Sequence, residues 1–221
     1  ADSSRKAAAE ARFKQCMLAY DTFMDPQRRI DYDSSIEFDE SIPGPRAGTA
    51  SLDEFLKVYT PVFERNARWS KTQPMPSLGG KDATEEQITR FYKAWSAFSS
   101  WRTFPKADTE KVGDSCSRDQ RRRADQTNAA KRALAAKEEV ARIRNLVTQA
   151  EKIDPRAIHY KAMKAELDKA VKQAAFDTKG ALAKEKLPKK ELDAKIAEAS
   201  EAAAAAVRAK YAAIYKEKFL Q

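Results

Sequence analysis

From Ser117 to Asp154 the chain runs without Pro or Gly and consists mostly of good helix formers, SRDQRRRADQTNAAKRALAAKEEVARIRNLVTQAEKID. Such a stretch predicts one long helix, and its two halves differ in kind. Between Arg118 and Lys137 it carries seven basic residues (Arg118, Arg121, Arg122, Arg123, Lys131, Arg132, Lys137) against Asp119 and Asp125, a local balance of +5. On a helical wheel Arg118, Arg121, Arg122 and Arg132 share a face, and Val140, Ile143, Val147 and Ala150 continue that face further along. The first half therefore looks outward and the second half packs. A planar guanidinium fork suits phosphate better than an ammonium does. A charge run is as often only a solvated face, so both readings stand at this point.

Composition narrows the class. The chain has 221 residues, 34% of them charged, a net charge of +9 and six glycines, with a mean hydropathy of −0.72. That length allows one good core or two small ones. Scarce glycine, with Ala, Lys and Glu abundant toward the C-terminus, predicts an all-α protein with long exposed helices. The charge points to an anionic partner, nucleic acid ahead of membrane, because no helix pairs a basic face with a bulky apolar one. Cys16 and Cys116 are too few for a disulfide framework or a zinc site and weakly suggest a reducing compartment. No signal peptide or membrane-spanning run is visible, so the chain reads as soluble; it begins inside a helix-like segment, as a fragment would.

Along the chain, Ser3 to Met24 predicts a first helix with Phe13, Cys16, Met17, Tyr20 and Phe23 toward one face. Asp25-Pro26 stops it, and Pro26 suits the first position of a short second helix reaching Asp33. The spacing of Phe13, Ala19, Tyr20, Phe23, Asp25, Pro26, Arg29 and Tyr32 resembles the last two helices of a J domain, where an aromatic pair packs the hairpin and Asp-Pro sets the turn. Seven acidic residues and one basic, Arg46, lie between Asp31 and Glu54. That linker either docks on the arginine helix or is solvated.

Ser51 and Glu54 predict a capping box, followed by Leu52, Phe55, Leu56, Tyr59 and Phe63 at helical spacing; Pro61 suits the start of a further helix and Trp69 the core. Lys71 to Lys81 reads as a loop. Thr84 and Gln87 form a second capping box, and Ile88, Phe91, Tyr92, Trp95 and Phe98 make an aromatic stripe, better suited to a bundle core than to base stacking. Asp154 caps the next helix with Pro155 at its first position, carrying Tyr160, Met163, Leu167, Ala170 and Ala174 to an end at Gly180. Pro188 opens a last, alanine-rich helix with Leu192, Ile196, Ala199, Ala203, Val207, Tyr211 and Ile214 in a thin seam. The pair forms a helical arm or hairpin without a deep pocket.

Catalytic signatures are missing from this pattern. His159 has no second candidate ligand nearby and reads as a surface imidazole. No phosphate loop, Cys/His cluster or nucleophile motif is visible, and Glu138 and Glu139 point apart as adjacent helix positions. The expectation is a protein that is not an enzyme and has no cofactor and no metal.

Four stretches together resemble the zuotin family of ribosome-associated J-protein co-chaperones: FKQCMLAYDTFMDPQRRIDYDS, PVFERNARWSKTQPMPSLG, FYKAWSAFSSWRTFP, and SRDQRRRADQ running into ARIRNLVTQAEKIDPR. The resemblance covers roughly residues 12–156. It implies the C-terminal half of a J domain over 1–35, an acidic linker over 36–50, a zuotin homology domain with its basic helix over 51–153, and middle-domain helices over 154–221. The family's ribosome-binding helix falls on Arg118, Arg121, Arg122, Arg123, Lys131 and Arg132. The implied partners are the large ribosomal subunit, through rRNA and proteins at the tunnel exit, and a seventy-kilodalton heat-shock chaperone, including an atypical ribosome-associated one. A long middle helix is implied to reach the small subunit. The implied location is cytoplasmic and ribosome-associated, with room for a nuclear pool.

The family's J domain stimulates its chaperone through a His-Pro-Asp before the helix that begins here, and this sequence lacks it, since Tyr160 follows His159. The chain as given is not expected to stimulate the chaperone. After Asp177 the resemblance fades, and no SANT-type repeat is visible. Two rivals stand beside this reading: a DNA- or chromatin-binding helical protein using the same arginine face, against which the lack of a helix-turn-helix pattern counts, and a structural scaffold with a solvated charge run.

Overall fold

The computed structural model describes residues 2–45, 47–111, 113, 116–183 and 187–220. Its helices are α1 (Asp2–Met24), α2 (Pro26–Ser35), α3 (Leu52–Ala67), α4 (Glu85–Ser96), α5 (Arg118–Ile153), α6 (Pro155–Leu182) and α7 (Lys189–Phe219), with a 3₁₀ turn at Pro105–Ala107. The fold is all-α. Among the described residues the only extended pairing is an isolated antiparallel bridge between Ser70 and Ser100. Arg46 of the acidic linker lies outside the described residues. The chain divides into two units, the first made of Ala1–Ile42, Arg68–Gln73 and Phe98–Arg144, the second of Pro43–Ala67, Pro74–Ala97 and Asn145–Gln221.

In the first unit Asp25 caps α2 by accepting the N–H of Gln27 at 2.8 Å and of Arg28 at 3.0 Å. The Arg28 amide, first among several causes, holds its carboxyl below the usual carboxylate range. Phe23 and Tyr32 meet edge to face at 5.3 Å across the hairpin, while Arg29 lies 3.9 Å from Asp33. The rest of the apolar face of α1 stays open: Phe13 is 65% exposed and Tyr20 58%, and Ala19 is exposed as well. Ten-residue α2 is too short to cover the 23 residues of α1.

The centre of this unit is Arg102. Its side chain is 6% exposed, and Nη1 donates to Glu40 Oε1 and Glu139 Oε2, each at 2.8 Å. The guanidinium lies 4.7 Å from the Trp69 ring and 4.7 Å from the Phe104 ring, so cation–π attraction adds to the ion pairs in a site with little water. Phe104 holds a left-handed backbone, φ 55°, at the start of the 3₁₀ turn. Arg142 reaches the same carboxylate, Glu139, at 3.3 Å and the Glu40 carbonyl at 3.0 Å. The acidic linker thus meets α5 at Arg142. Glu139, on sequence grounds one of two adjacent carboxylates that point apart, is buried here.

The second unit is built on the aromatic positions that the periodicity singles out. Phe55, Tyr59 and Phe63 of α3 are buried with Phe91, Tyr92 and Trp95 of α4 and with Leu146, Val147 and Ala150 of α5. Phe63 packs edge-on to both Phe91 and Trp95 at 4.8 Å. At roughly 1.5–3 kcal/mol for each large side chain, this burial is the main stabilising term. It also explains Pro61, which does not begin a new helix but sits inside α3. The missing N–H costs about 3 kcal/mol, and buried Tyr59, Val62 and Phe63 on either side of it outweigh that. Thr84 and Gln87 form the expected capping box. At α3 Ser51 accepts from Glu54 N–H, and the Glu54 carboxylate reaches back to the Ala50 N–H instead.

The turn from α5 to α6 is a buried ion pair. Asp154 and Arg156 are both fully buried; the guanidinium donates to Asp154 through Nε at 3.1 Å and Nη2 at 2.9 Å, and through Nη1 to the carbonyls of Leu78 and Gly80. Tyr92 donates its hydroxyl to Asp154 at 2.9 Å, and burial, then the Asp154 charge, pushes that phenol far above its ordinary range. Gly79, φ 72°, lets the loop come close: a Cβ there would sit 3.0 Å from the Cβ of Ala83.

α6 and α7 pair antiparallel, with Glu166 accepting from Lys210 at 2.6 Å and from Tyr211 at 2.9 Å. α6 continues past Gly180 to Leu182. His159 is not a surface imidazole. It is 8% exposed, with its ring centre 5.1–5.4 Å from those of Tyr160, Tyr211 and Tyr215 and 6.1 Å from Phe219. The aromatic residues of α7 cover it. Burial, followed by the nearby Lys218 charge, lowers its pKa, and a hydrogen bond to the Tyr211 backbone opposes the shift.

Two outcomes follow. Asp154→Ala strands a buried guanidinium and is expected to cost about 3–5 kcal/mol in urea unfolding, with Asp154→Ala/Arg156→Met recovering much of it; an unchanged midpoint for the single variant contradicts the burial. For His159 the folded pKa lies below the unfolded one, so its contribution is present above about pH 6.5 and is lost as pH falls below that value. The stability difference between the parent chain and His159→Gln, measured from pH 8 to pH 5, should therefore shrink toward acid.

Candidate nucleic-acid interface

The N-terminal half of α5 carries the arginine cluster, and its start is set by a capping box. Ser117 Oγ accepts the Gln120 N–H at 3.3 Å and the Gln120 carboxamide oxygen accepts the Ser117 N–H at 2.8 Å. This box was missed in the sequence although its Ser-x-x-Gln signature matches the one recognised at Thr84. It sets the first helical turn at Arg118 and hence the direction of each arginine after it.

Arg118, Arg121, Arg122 and Arg123 are all exposed. The first three share a shallow surface depression with Asp119, Asp125 and Gln126. Four guanidiniums within six residues lie at the positive end of a 36-residue helix, where exposed N–H groups and the dipole add to the attraction for an anion. Asp119 and Asp125 reduce the local charge without burying the arginines.

Lys131 and Arg132 differ from these four. Arg132 Nε donates to Asp108 Oδ1 at 2.6 Å and its Nη2 to Asp108 Oδ2. The pair holds the Asp108 carboxyl below its usual range and raises the guanidinium's affinity for its proton. Lys131 donates to the Thr109 hydroxyl. Between them Asn128 accepts the N–H groups of Thr109 and Glu110, each at 3.1 Å, and donates to the Glu110 carbonyl at 2.9 Å. Residues 108–110 are therefore strapped along one side of α5. Of the six basic residues expected to act together, four face solvent and two hold this strap. Asp108 and Asn128 have no distinguishing signal in the sequence, Asp108 being one of three acidic residues, with Glu110 and Asp114, in the stretch ahead of the arginine run.

Among the described residues no group of His, Cys, Asp and Glu could hold a metal ion, and no described helix is long and apolar enough to cross a membrane. Both cysteines are free, Cys16 exposed and Cys116 half-buried. The arrangement offers a charged surface.

Residues 54–158, from the first turn of α3 to the first turn of α6, match the family described as zuotin-like, zuotin homology domain. The chain is 38% identical over 149 residues to zuotin of Saccharomyces cerevisiae, an alignment covering 67% of this chain and 34% of that protein. The chain belongs to the zuotin family. Zuotin of Schizosaccharomyces pombe is 38% identical over 162 residues, 73% of this chain and 35% of that one. Human DnaJ homolog subfamily C member 2 is 39% identical over 165 residues, 71% of this chain and 26% of the relative. The chain thus spans about a quarter to a third of the length of these relatives. The zuotin homology match contains the whole of α5 and so every residue of the arginine cluster.

The strap yields a test. Asp108→Asn removes the charge that holds Arg132 and should release a fifth guanidinium to solvent. Binding to a structured RNA, followed by fluorescence anisotropy over a salt series, is expected to steepen by up to about one unit of log–log slope. An unchanged slope means Arg132 remains tied without Asp108.

Proposed function

We propose that this chain is the ribosome-anchoring region of a J-protein co-chaperone. The guanidinium groups of Arg118, Arg121, Arg122 and Arg123 meet rRNA phosphates beside the tunnel exit of the large subunit, reading backbone shape rather than sequence. The observation that carries the reading is the exposure of all four at the capped start of a 36-residue helix. Membership of the zuotin family supports it, and the J-protein name of the human relative supports the co-chaperone role. Lys131 and Arg132 contribute by shaping the helix flank and add to the field.

On this reading the protein is a tether and not an enzyme. Anchoring holds a J domain, whose C-terminal half is α1 and α2, where nascent chains emerge, and raises its effective concentration there. The partner it would recruit is a seventy-kilodalton heat-shock chaperone, the atypical ribosome-associated kind included. The lysine-rich α6 makes a second, weaker RNA contact toward the small subunit. The working location is the ribosome-associated cytoplasm. Residues 1–35, 36–50, 51–153 and 154–221 serve as J-domain half, linker, zuotin homology domain and middle helices.

The test is co-sedimentation with purified ribosomes across a salt series, comparing the chain with the Arg121→Glu/Arg122→Glu/Arg123→Glu variant. With about four phosphate contacts the parent should lose affinity with a log–log slope of roughly 3 to 4. The triple variant should no longer pellet at moderate salt while its circular dichroism is unchanged. A folded variant that pellets like the parent sinks the proposal, and stronger binding to duplex DNA than to ribosomes favours the chromatin reading.

A further inference from the structure

The second unit has a cleft on the side of α4, bordered by the end of α5 and the start of α6, that the arginine reading leaves without a role. Its volume is about 730 Å³. The floor is partly apolar: Ile158 is 51% exposed and Tyr160 half-buried, Ile88 and Tyr92 of α4 close it from below at 5% and 6% exposure, and Thr89, Ser96 and Thr148 add exposed hydroxyls. The tyrosine hydroxyls point into the protein, Tyr92 donating to Asp154 at 2.9 Å and Tyr160 to the Ala83 carbonyl at 3.4 Å. The apolar surface left in the cleft is that of Ile158 and the Tyr160 ring, beside the three hydroxyls.

Its edges are basic. Lys93 of α4, Lys152 of α5, and Lys161 and Lys164 of α6 line it and are exposed, against the two carboxylates Glu85 and Glu151. Among the described residues none of the four lysines has a carboxylate partner within ion-pair distance. The walls are preformed, because the Tyr92–Asp154–Arg156 network joins α4 to the α5–α6 corner directly behind the floor. The α4 wall from Glu85 to Ser96 is roughly 16 Å long at 1.5 Å per residue, about three helical turns.

We propose that this cleft is a docking site for an acidic amphipathic helix of a partner polypeptide. Apolar side chains spaced three and four apart would cover Ile158 and the tyrosine rings, and flanking carboxylates would meet the four lysines. A nucleic acid fits less well, because it would place phosphates or sugars over the exposed Ile158. The proposal uses none of the α5 arginines and stands or falls apart from the ribosome tether.

The test is fluorescence anisotropy of the full chain with a labelled designed peptide of about 18 residues, leucines on one helical face and glutamates flanking them. A control has the same composition with the leucines scattered. Saturable binding is expected for the amphipathic peptide alone. Ile158→Asp should weaken it roughly tenfold, and Lys161→Gln/Lys164→Gln by roughly threefold, with a flatter salt dependence. Both changes are at exposed positions, and circular dichroism and thermal unfolding check that the fold is kept. Equal binding of the scattered peptide, an unchanged affinity for Ile158→Asp, or no saturation up to about 1 mM overturns the proposal. So does an RNA hairpin that binds and is lost on the lysine changes while the peptide does not bind.

Discussion

A fully buried arginine facing a fully buried aspartate governs the second unit. Taking two charges out of water costs several kcal/mol each, and only good geometry recovers it. At Asp154 and Arg156 the geometry is good: two donors meet two oxygens, two further guanidinium hydrogens reach loop carbonyls, and a tyrosine satisfies the carboxylate from α4. Asp154 also accepts the Arg156 N–H as the cap of α6. One side chain thus ends α5, starts α6, positions α4 and neutralises the arginine that holds the 78–80 loop. An apolar core could supply comparable stability, but a hydrophobic contact has no preferred direction, and the hydrogen bonds here set the angle at which three helices meet.

The first unit uses related chemistry with another emphasis. Arg102 is buried among rings, with Trp69 and Phe104 at 4.7 Å, and its carboxylates come from far along the chain, Glu40 and Glu139. Where Arg156 is held by a neighbour two residues away, Arg102 ties the irregular segments around Glu40, Trp69 and Phe104 to Glu139 of α5. The φ of 55° at Phe104 fits this role. The left-handed turn lays its ring on the guanidinium, and the contact offsets the backbone cost. In both units arginine is the interior fastener, while the arginines at the start of α5 lie at exposed positions.

Much of this was legible in the sequence because it depends on local spacing. The long helix, the Asp25-Pro26 turn, the capping box at Thr84 and the aromatic stripe of α4 all rest on residues within a few positions of each other. What was not legible depends on distant partners. His159 is covered by Tyr211, Tyr215 and Phe219, more than fifty residues on, and no periodicity in α6 announces that. Arg156 has the sequence context of an ordinary surface arginine until a glycine turn brings two carbonyls to it. Arg132 and Lys131 share their charge with the solvent-facing arginines, and only a loop aspartate and threonine two dozen residues earlier set them apart. Pro61 misleads for the opposite reason: a strong local rule is overruled by the packing around it.

The α6–α7 hairpin changes character along its length. Near its base His159, Tyr160, Tyr211, Tyr215 and Phe219 interlock in a ring cluster, and Tyr215 donates to the Lys81 carbonyl at 2.7 Å. Beyond Glu166 the seam carries smaller side chains, Leu167, Ala170, Val171 and Ala174 of α6 and Leu192, Ile196, Ala204 and Val207 of α7, in place of rings. Mechanically this is a beam with a clamped root and a compliant tip. A sideways load applied at the far ends of the two helices would be taken up first where small side chains meet, before it reached the interlocked rings at the root.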